Sequence, residues 1–329
     1  MKISVLVAVI LFSASALGQI KWYKFDKRFI EQHYQQDATA IGTLKASAVH
    51  PAHNVHPIDC GGNDGELHIG IAESGLGNGT LPVSAFAQEK DSQFGIVAEP
   101  PNVKQGTPFF TSIEATEGKP AFFFGYFRLW NEGHDVTTVF PSNPHHVLEV
   151  HPAWGIRSGN FIVTPRPAVI FSMPGFSGYG ASKFAPLLQS VPQWLRVAED
   201  DKFVYIRLMK ADNFYQLPVT VKKVRTVANG AGVMAIVDVF SDTAHKNLVY
   251  QDLTVVTAFN DPLAARLQPN WSTFLLGFFS INLRKAEVIA SGHQQSDPVP
   301  GSGALEFFAF GVPLQKAVSK STPCTTEND

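Results

Sequence analysis

Residues 145–156 read HHVLEVHPAWGI. The stretch looks like a buried strand, yet it holds three histidines and a glutamate within seven positions. Successive side chains of a strand point to opposite faces. His145, Val147, Glu149 and His151 are therefore expected on one face, with His146, Leu148 and Val150 on the other. A carboxylate and an imidazole side by side at a strand end form a candidate site.

Working outward, KPAFFFGYFRLW (119–130) is apolar on both faces and predicts a central strand. SQFGIVAEPP (92–101) predicts a strand stopped by two prolines. ELHIGIAES (66–74) and AIGTLKASAVH (40–50) predict two more, and PAHNVHPIDCGGNDG (51–65) predicts a loop. Residues 20–40 read as a lead-in segment or short helix. Five such strands suit an OB-like five-stranded barrel over residues 19–160, with a β-sandwich as the alternative. A second β-rich domain is expected over 161–315, with one short helix in 182–195 that Pro186 and Pro192 shorten. FLLGFFSINLRKAEVIAS (274–291) reads there as one of several strands. Residues 316–329 read as a polar tail. The expected class is all-β.

The 329-residue chain is 45% hydrophobic, 12% aromatic and only 16% charged, with a net charge of −2. That composition is globular, and it lacks the basic surplus that nucleic-acid binding needs. MKISVLVAVILFSASALG (1–18) has the form of a secretory signal peptide, with cleavage expected before Gln19 and Ala16 as the competing boundary. No cysteine stands at the cleavage point, and no later run reaches the ~18 apolar residues of a membrane helix. The expectation is a soluble protein, secreted or periplasmic. Its two cysteines, Cys60 and Cys324, permit one disulfide in an oxidising compartment.

Nine of the eleven histidines lie between positions 33 and 151. Glu66 and His68 open one predicted strand, and Glu149 and His151 close another; the i, i+2 spacing puts each pair on one face. Carboxylate and neutral imidazole are oxygen and nitrogen ligands for zinc and other divalent transition metals. They are also a common acid–base pair. Asp64, Glu99 and His134 stand at neighbouring strand ends. Asp64, His68, His134, Glu149 and His151 are thus candidate metal ligands, and Glu66 and Glu99 candidate catalytic bases.

The segments NDGELHIGI (63–71), GIVAEPPN (95–102), GYFRLWNEGH (125–134) and LEVHPAWGI (148–156) together resemble a pattern in uncharacterised exported bacterial proteins. There an Asp-Gly-Asp-x-His strand start precedes an Ala-Glu-x-Pro strand end, a Gly-rich strand with a trailing His and a Glu-x-His-Pro strand. The resemblance covers residues 60–156 and places the same seven residues on motif positions. Glu66 replaces the second Asp, and Asn131 stands where an Asp is common. The Asp64-Gly65-Glu66 turn is also similar to that of OB-fold thermonucleases, but their other signatures are missing, which argues against such a nuclease.

Other signals are smaller. His53, His56 and Cys60 could form a zinc clip, though a structural site wants four ligands. GFSGYGASK (175–183) fits no phosphate-loop pattern and reads as a turn. Trp130, Trp154 and Trp194 could stack on a glycan or pack in the core. Asn78 and Asn270 head glycosylation sequons. Three functions stay open: a binding or accessory protein for a small molecule or glycan, a metal-dependent hydrolase, and a structural exported protein. In the hydrolase, His68, His134 and His151 would be the nitrogen ligands, and Glu66 or Glu99 would activate water.

Overall fold

The all-β class follows from the short alternating or doubly buried runs, and the computed structural model is built from seventeen strands among its described residues. Those residues are 20–34, 41–55, 66–71, 87–88, 95–101, 103–132, 141–144, 146–163, 181–212, 214–227 and 230–310. Residues 1–18, where a leader is expected, and Cys60, Cys324, Asp64, His56, Asn78, His134, His145, most of residues 175–183 and residues 316–329 lie outside them.

The first half carries β1 (Ile20–Asp26), α1 (Lys27–His33), β2 (Ile41–Ala46), β3 (Val49–Pro51), β4 (Ile69–Ile71), β5 (Ala87–Gln88), β6 (Gly95–Ala98), α2 (Pro108–Glu114), β7 (Ala121–Leu129), β8 (His146–Ser158) and β9 (Phe161–Val163). The second half carries α3 (Ala181–Gln189), α4 (Val191–Trp194), β10 (Arg196–Glu199), β11 (Phe203–Met209), β12 (Phe214–Thr226), β13 (Gly232–Phe240), β14 (Leu248–Ala258), β15 (Ser272–Ile281), α5 (Leu283–Ala290), β16 (Val299–Pro300) and β17 (Leu305–Ala309).

A closed five-stranded barrel is present, and residues 214–309 build it, in the order β12-β13-β14-β17-β15. The barrel expected over 19–160 is instead an open seven-stranded sheet ordered β2-β7-β8-β6-β4-β3, with β9 on β8. It stays open because its two edge strands, β2 and β3, do not pair with each other. β7 and β8 are interior, as their doubly apolar sequences require. A third sheet, β16-β10-β11-β1-β5, joins the two halves. Its β1–β11 ladder runs from Ile20 opposite Met209 to Asp26 opposite Phe203, across the boundary expected at 160/161.

Local chemistry sets the helices. The Asp26 carboxylate accepts the Arg28 amide at 2.9 Å and starts α1, in the stretch that reads as a lead-in segment or short helix; the strand β1 before it was not expected. Thr107 caps α2, and Pro108 fits its first turn; this helix was not expected. The run 274–291 is not one strand. The Asn282 side chain accepts the Lys285 amide at 2.9 Å and begins α5, which buries Leu283, Ala286 and Ala290 at helical spacing. Pro186 lies inside α3, and Pro192 falls in the first turn of α4.

The barrel seals one face of the open sheet. The Tyr126 ring lies 4.5 Å from that of Phe308, and Trp154 stacks on Phe308 at 5.7 Å. Arg128 Nε donates to the Phe279 carbonyl at 3.2 Å, and the Leu129 amide donates to Ser280 Oγ at 3.1 Å. Each buried phenylalanine stabilises this junction by about 1.5–3 kcal/mol of transfer free energy.

Candidate metal centre

The site lies where β8, β6 and the approach to β4 run side by side beneath the barrel. β6 is parallel to β8, with Val97 opposite Glu149 and Ala98 opposite Val150. Glu99 continues that ladder: its amide donates to the Val150 carbonyl at 3.0 Å, so its side chain emerges beside Glu149 and His151. β4 is antiparallel to β6, with Ile69 opposite Ala98. The Leu67 amide donates to the Pro100 carbonyl at 3.3 Å, which carries the register one step further and sets His68 across from Glu99. The two Glu-x-His pairs of the sequence therefore meet on one face.

His146 joins them, contrary to strict alternation. The β6–β8 register shifts so that Gly95 faces His146 while Ile96 faces Leu148. The extra residue, Val147, is a bulge, and a bulge reverses which face the preceding side chain takes. His146 thus comes to the side of Glu149.

Six side chains gather at this point, with exposures of 3% for Glu66, 9% for His68, 4% for Glu99 and 1% for each of His146, Glu149 and His151. His151 Nε2 lies 2.6 Å from Glu66 Oε1, and its Nδ1 lies 2.9 Å from Glu99 Oε2 and 3.2 Å from Glu149 Oε2. His68 Nε2 lies 3.4 Å from Glu99 Oε1. His146 Nε2 lies 3.4 Å from Glu149 Oε1 and 3.9 Å from Glu99 Oε1. Glu99, read from the sequence as a base, is the carboxylate that all three imidazoles face. In each of two triads, Glu66–Glu99–His151 and Glu99–His146–Glu149, one donor atom per residue lies within 4.8 Å of the others.

Arg128 completes the electrostatics. It sits opposite Glu149 on β7, and its Nη1 donates to Glu149 Oε2 at 3.0 Å and also to Glu132. The guanidinium lies 4.5 Å over the Phe278 ring, and the His151 ring lies 4.7 Å from the same ring. The sequence offered no signal for Arg128, because only the β7–β8 register reveals its partner.

Burial and the Glu149 charge push the Glu99 carboxyl up, but His151 and His68 outweigh them and hold it down at about 2. Burial likewise opposes ionisation of Glu149, and Arg128, His146 and His151 override it, leaving that carboxyl well below the usual range. Burial disfavours the His151 cation, while Glu66, Glu99 and Glu149 favour it and raise its pKa well above the ordinary value. With imidazoles neutral, four carboxylates (Glu66, Glu99, Glu132 and Glu149) lie in or beside the centre, and the Arg128 guanidinium pairs with two of them, Glu132 and Glu149. An interior of low dielectric does not tolerate such a surplus without added positive charge. Protons on imidazole can supply it, and so can a divalent cation. The residues fit the cation: carboxylate oxygen plus imidazole nitrogen is the donor set of zinc and its neighbours.

The other candidates fall elsewhere. Asp64 and His134 are outside the described residues. His53 is exposed and 3.5 Å from Glu114, away from any described cluster of ligands, and His56 and Cys60 are not described. The tryptophans are not a glycan platform: Trp130, Trp154 and Trp194 are 2%, 4% and 1% exposed and pack in the core. Trp130 lies edge-on to Trp194 at 5.9 Å. Asn270 is exposed at a turn. No described helix is long and apolar enough to cross a membrane.

No protein-family model matches the chain, and no curated protein matches it. Among solved structures, it is similar to the wild-type single-stranded DNA binding protein of Thermus aquaticus at 9% identity, covering 95% of this chain and 97% of that one, with a TM-score of 0.17. A deletion mutant of that protein matches at 8% identity, covering 95% and 100% of the respective chains, with a TM-score of 0.18. Likenesses this low carry no argument about fold or function.

Proposed function

We propose that this chain is an exported binding protein that holds a divalent transition-metal ion in the Glu/His centre under the barrel. One observation carries the reading: three carboxylates and three imidazoles gather in the core, and two triads of them, Glu66–Glu99–His151 and Glu99–His146–Glu149, each bring one donor atom per residue within 4.8 Å of the others. A bound ion would neutralise the carboxylates while the imidazoles stay neutral, so metal and protons compete for the same positions. Export rests on the leader-like residues 1–18, and it would bring the chain to its metal outside the cytoplasm. Binding is favoured over hydrolysis because the donors are 1–9% exposed, whereas a hydrolytic metal keeps a position open to water and substrate.

Elemental analysis of the purified mature protein tests the proposal. About one equivalent of zinc or a similar ion is expected. Chelation should lower the thermal midpoint and metal should restore it, since ligand at a hundred times its Kd stabilises by about 2.7 kcal/mol. Metal-free protein whose melting ignores both chelator and added zinc would end the proposal.

A further inference from the structure

Beyond the metal reading, we infer that one end of the open sheet carries a second site, which binds a small organic carboxylate with an apolar body. Four strands build it in a row. Lys45 on β2 stands opposite Phe122 on β7, Phe122 opposite Arg157 on β8, and Arg157 opposite Ile162 on β9. Directly opposed residues share a face of the sheet, so the four side chains lie side by side. Phe161 points the other way and packs its ring 6.2 Å from that of Phe109 on α2, while Ile162 is 63% exposed. Arg157 lies well beyond His151 on β8, about 20 Å away along the strand, so this site is separate from the Glu/His centre.

The row borders a groove of about 390 Å³ lined by Lys119, Pro120, Phe122, Arg157, Ser158 and Gly159. That volume falls within the roughly 300–1,000 Å³ of small-molecule sites. Ser158 Oγ donates to the Pro120 carbonyl at 2.7 Å, which ties the end of β8 to the chain entering β7 and fixes the floor. Pro120 and Phe122 supply an apolar wall, and Ile162 extends it beside Arg157.

The charges around this wall are all positive. The Arg157 guanidinium carbon lies 4.3 Å from the centre of the Phe122 ring, and Lys45 Nζ lies 5.7 Å from it. A guanidinium resting on an aromatic ring is held in place while its N–H groups stay available to an anion. Among the described residues, no carboxylate pairs with Arg157 or Lys45. Lys119 donates to a neutral partner, the Ala115 carbonyl, at 2.6 Å. The acids that precede it, Glu114 and Glu117, face His53 and His50 instead. The planar guanidinium fork matches a carboxylate through two parallel hydrogen bonds. Three cations on a chain of net charge −2 suit one such group rather than the long phosphate track of a nucleic acid.

Titration of 15N-labelled mature protein with phenylacetate, followed by amide chemical shifts, tests the site. Acetate, 2-phenylethanol, inorganic phosphate and an oligothymidylate serve as comparison probes. Chelator stays present throughout, so no carboxylate reaches an ion in the Glu/His centre, and either reading can fail without the other. Phenylacetate should bind saturably and move signals of residues 119–122 and 157–162, more tightly than every comparison probe. Arg157 is exposed, so Arg157→Gln should fold normally, and it should weaken phenylacetate about 10-fold or more by removing a charge-assisted pair. Lys45→Gln should weaken it less, since an ammonium acts only as a point charge. Absence of binding, equal binding by 2-phenylethanol or acetate, unchanged affinity in Arg157→Gln, or tighter binding of phosphate or the oligothymidylate would overturn the inference.

Discussion

Replacing Arg128 with methionine would remove the guanidinium that pairs with Glu149 while keeping most of the side-chain volume. Arg128 is fully buried, donates to Glu149, Glu132 and the Phe279 carbonyl, and lies over the Phe278 ring. Deleting one partner of a buried ion pair costs about 3–5 kcal/mol, because the other charge stays behind without its counterion. At about 2.1 cal/mol/K per residue the roughly 220 described residues unfold with an entropy near 0.5 kcal/mol/K, so the expected fall in thermal midpoint is about 6–10 °C. Circular dichroism melts in excess chelator measure this without contribution from metal. Glu149→Gln should cost a similar amount, and the double variant should cost at least about 2 kcal/mol less than the two singles together, since the stranded charge is then gone. A midpoint shift below about 1 °C, or strictly additive variants, would refute the claim that this pair neutralises the core.

Three further outcomes are expected. Stability of the metal-free protein should be greatest between about pH 4.5 and 6.5: the depressed Glu99 carboxyl stabilises above its ordinary value and loses that contribution as pH falls toward about 2, whereas the raised His151 stabilises below its ordinary value and loses it as pH rises through its elevated pKa. Melting across pH measures both limbs, and His151→Gln should flatten the alkaline one. Gly125→Ala should destabilise by about 1–3 kcal/mol, because the new Cβ would lie 2.4 Å from the Pro152 carbonyl oxygen beside His151; an unchanged urea midpoint would contradict the packing of β7 on β8. Trp154→Ala should cost about 3–5 kcal/mol by cavity formation, where a tryptophan reserved for a glycan would be removed at little cost to stability.

Much of the strand map was legible because side-chain alternation is a local property of the chain. The doubly apolar runs at 121–129 and 146–158 are interior strands, and the Glu66/His68 and Glu149/His151 pairs do share a face. The misreadings have physical causes. Residues 283–290 are mostly good helix formers behind an Asn that caps a helix, and they were misread because they run on without a break from the aromatic strand before them. His146 was assigned to the wrong face because a bulge is a property of two paired strands and not of one. The barrel was sought in the first half because closure depends on strand lengths and partners, which no single strand declares.

By itself, the sequence determined the β class, the interior position of its two most apolar strands and the clustering of acids and imidazoles before residue 152. These rest on periodicity and residue chemistry, which act over a few positions. Tertiary structure alone decided that Glu99 stands among three imidazoles, that Arg128 faces Glu149 and that Phe278 of the barrel covers them. Each of those meetings depends on the register between segments 21 to 150 residues apart, and register is set by how whole sheets pack.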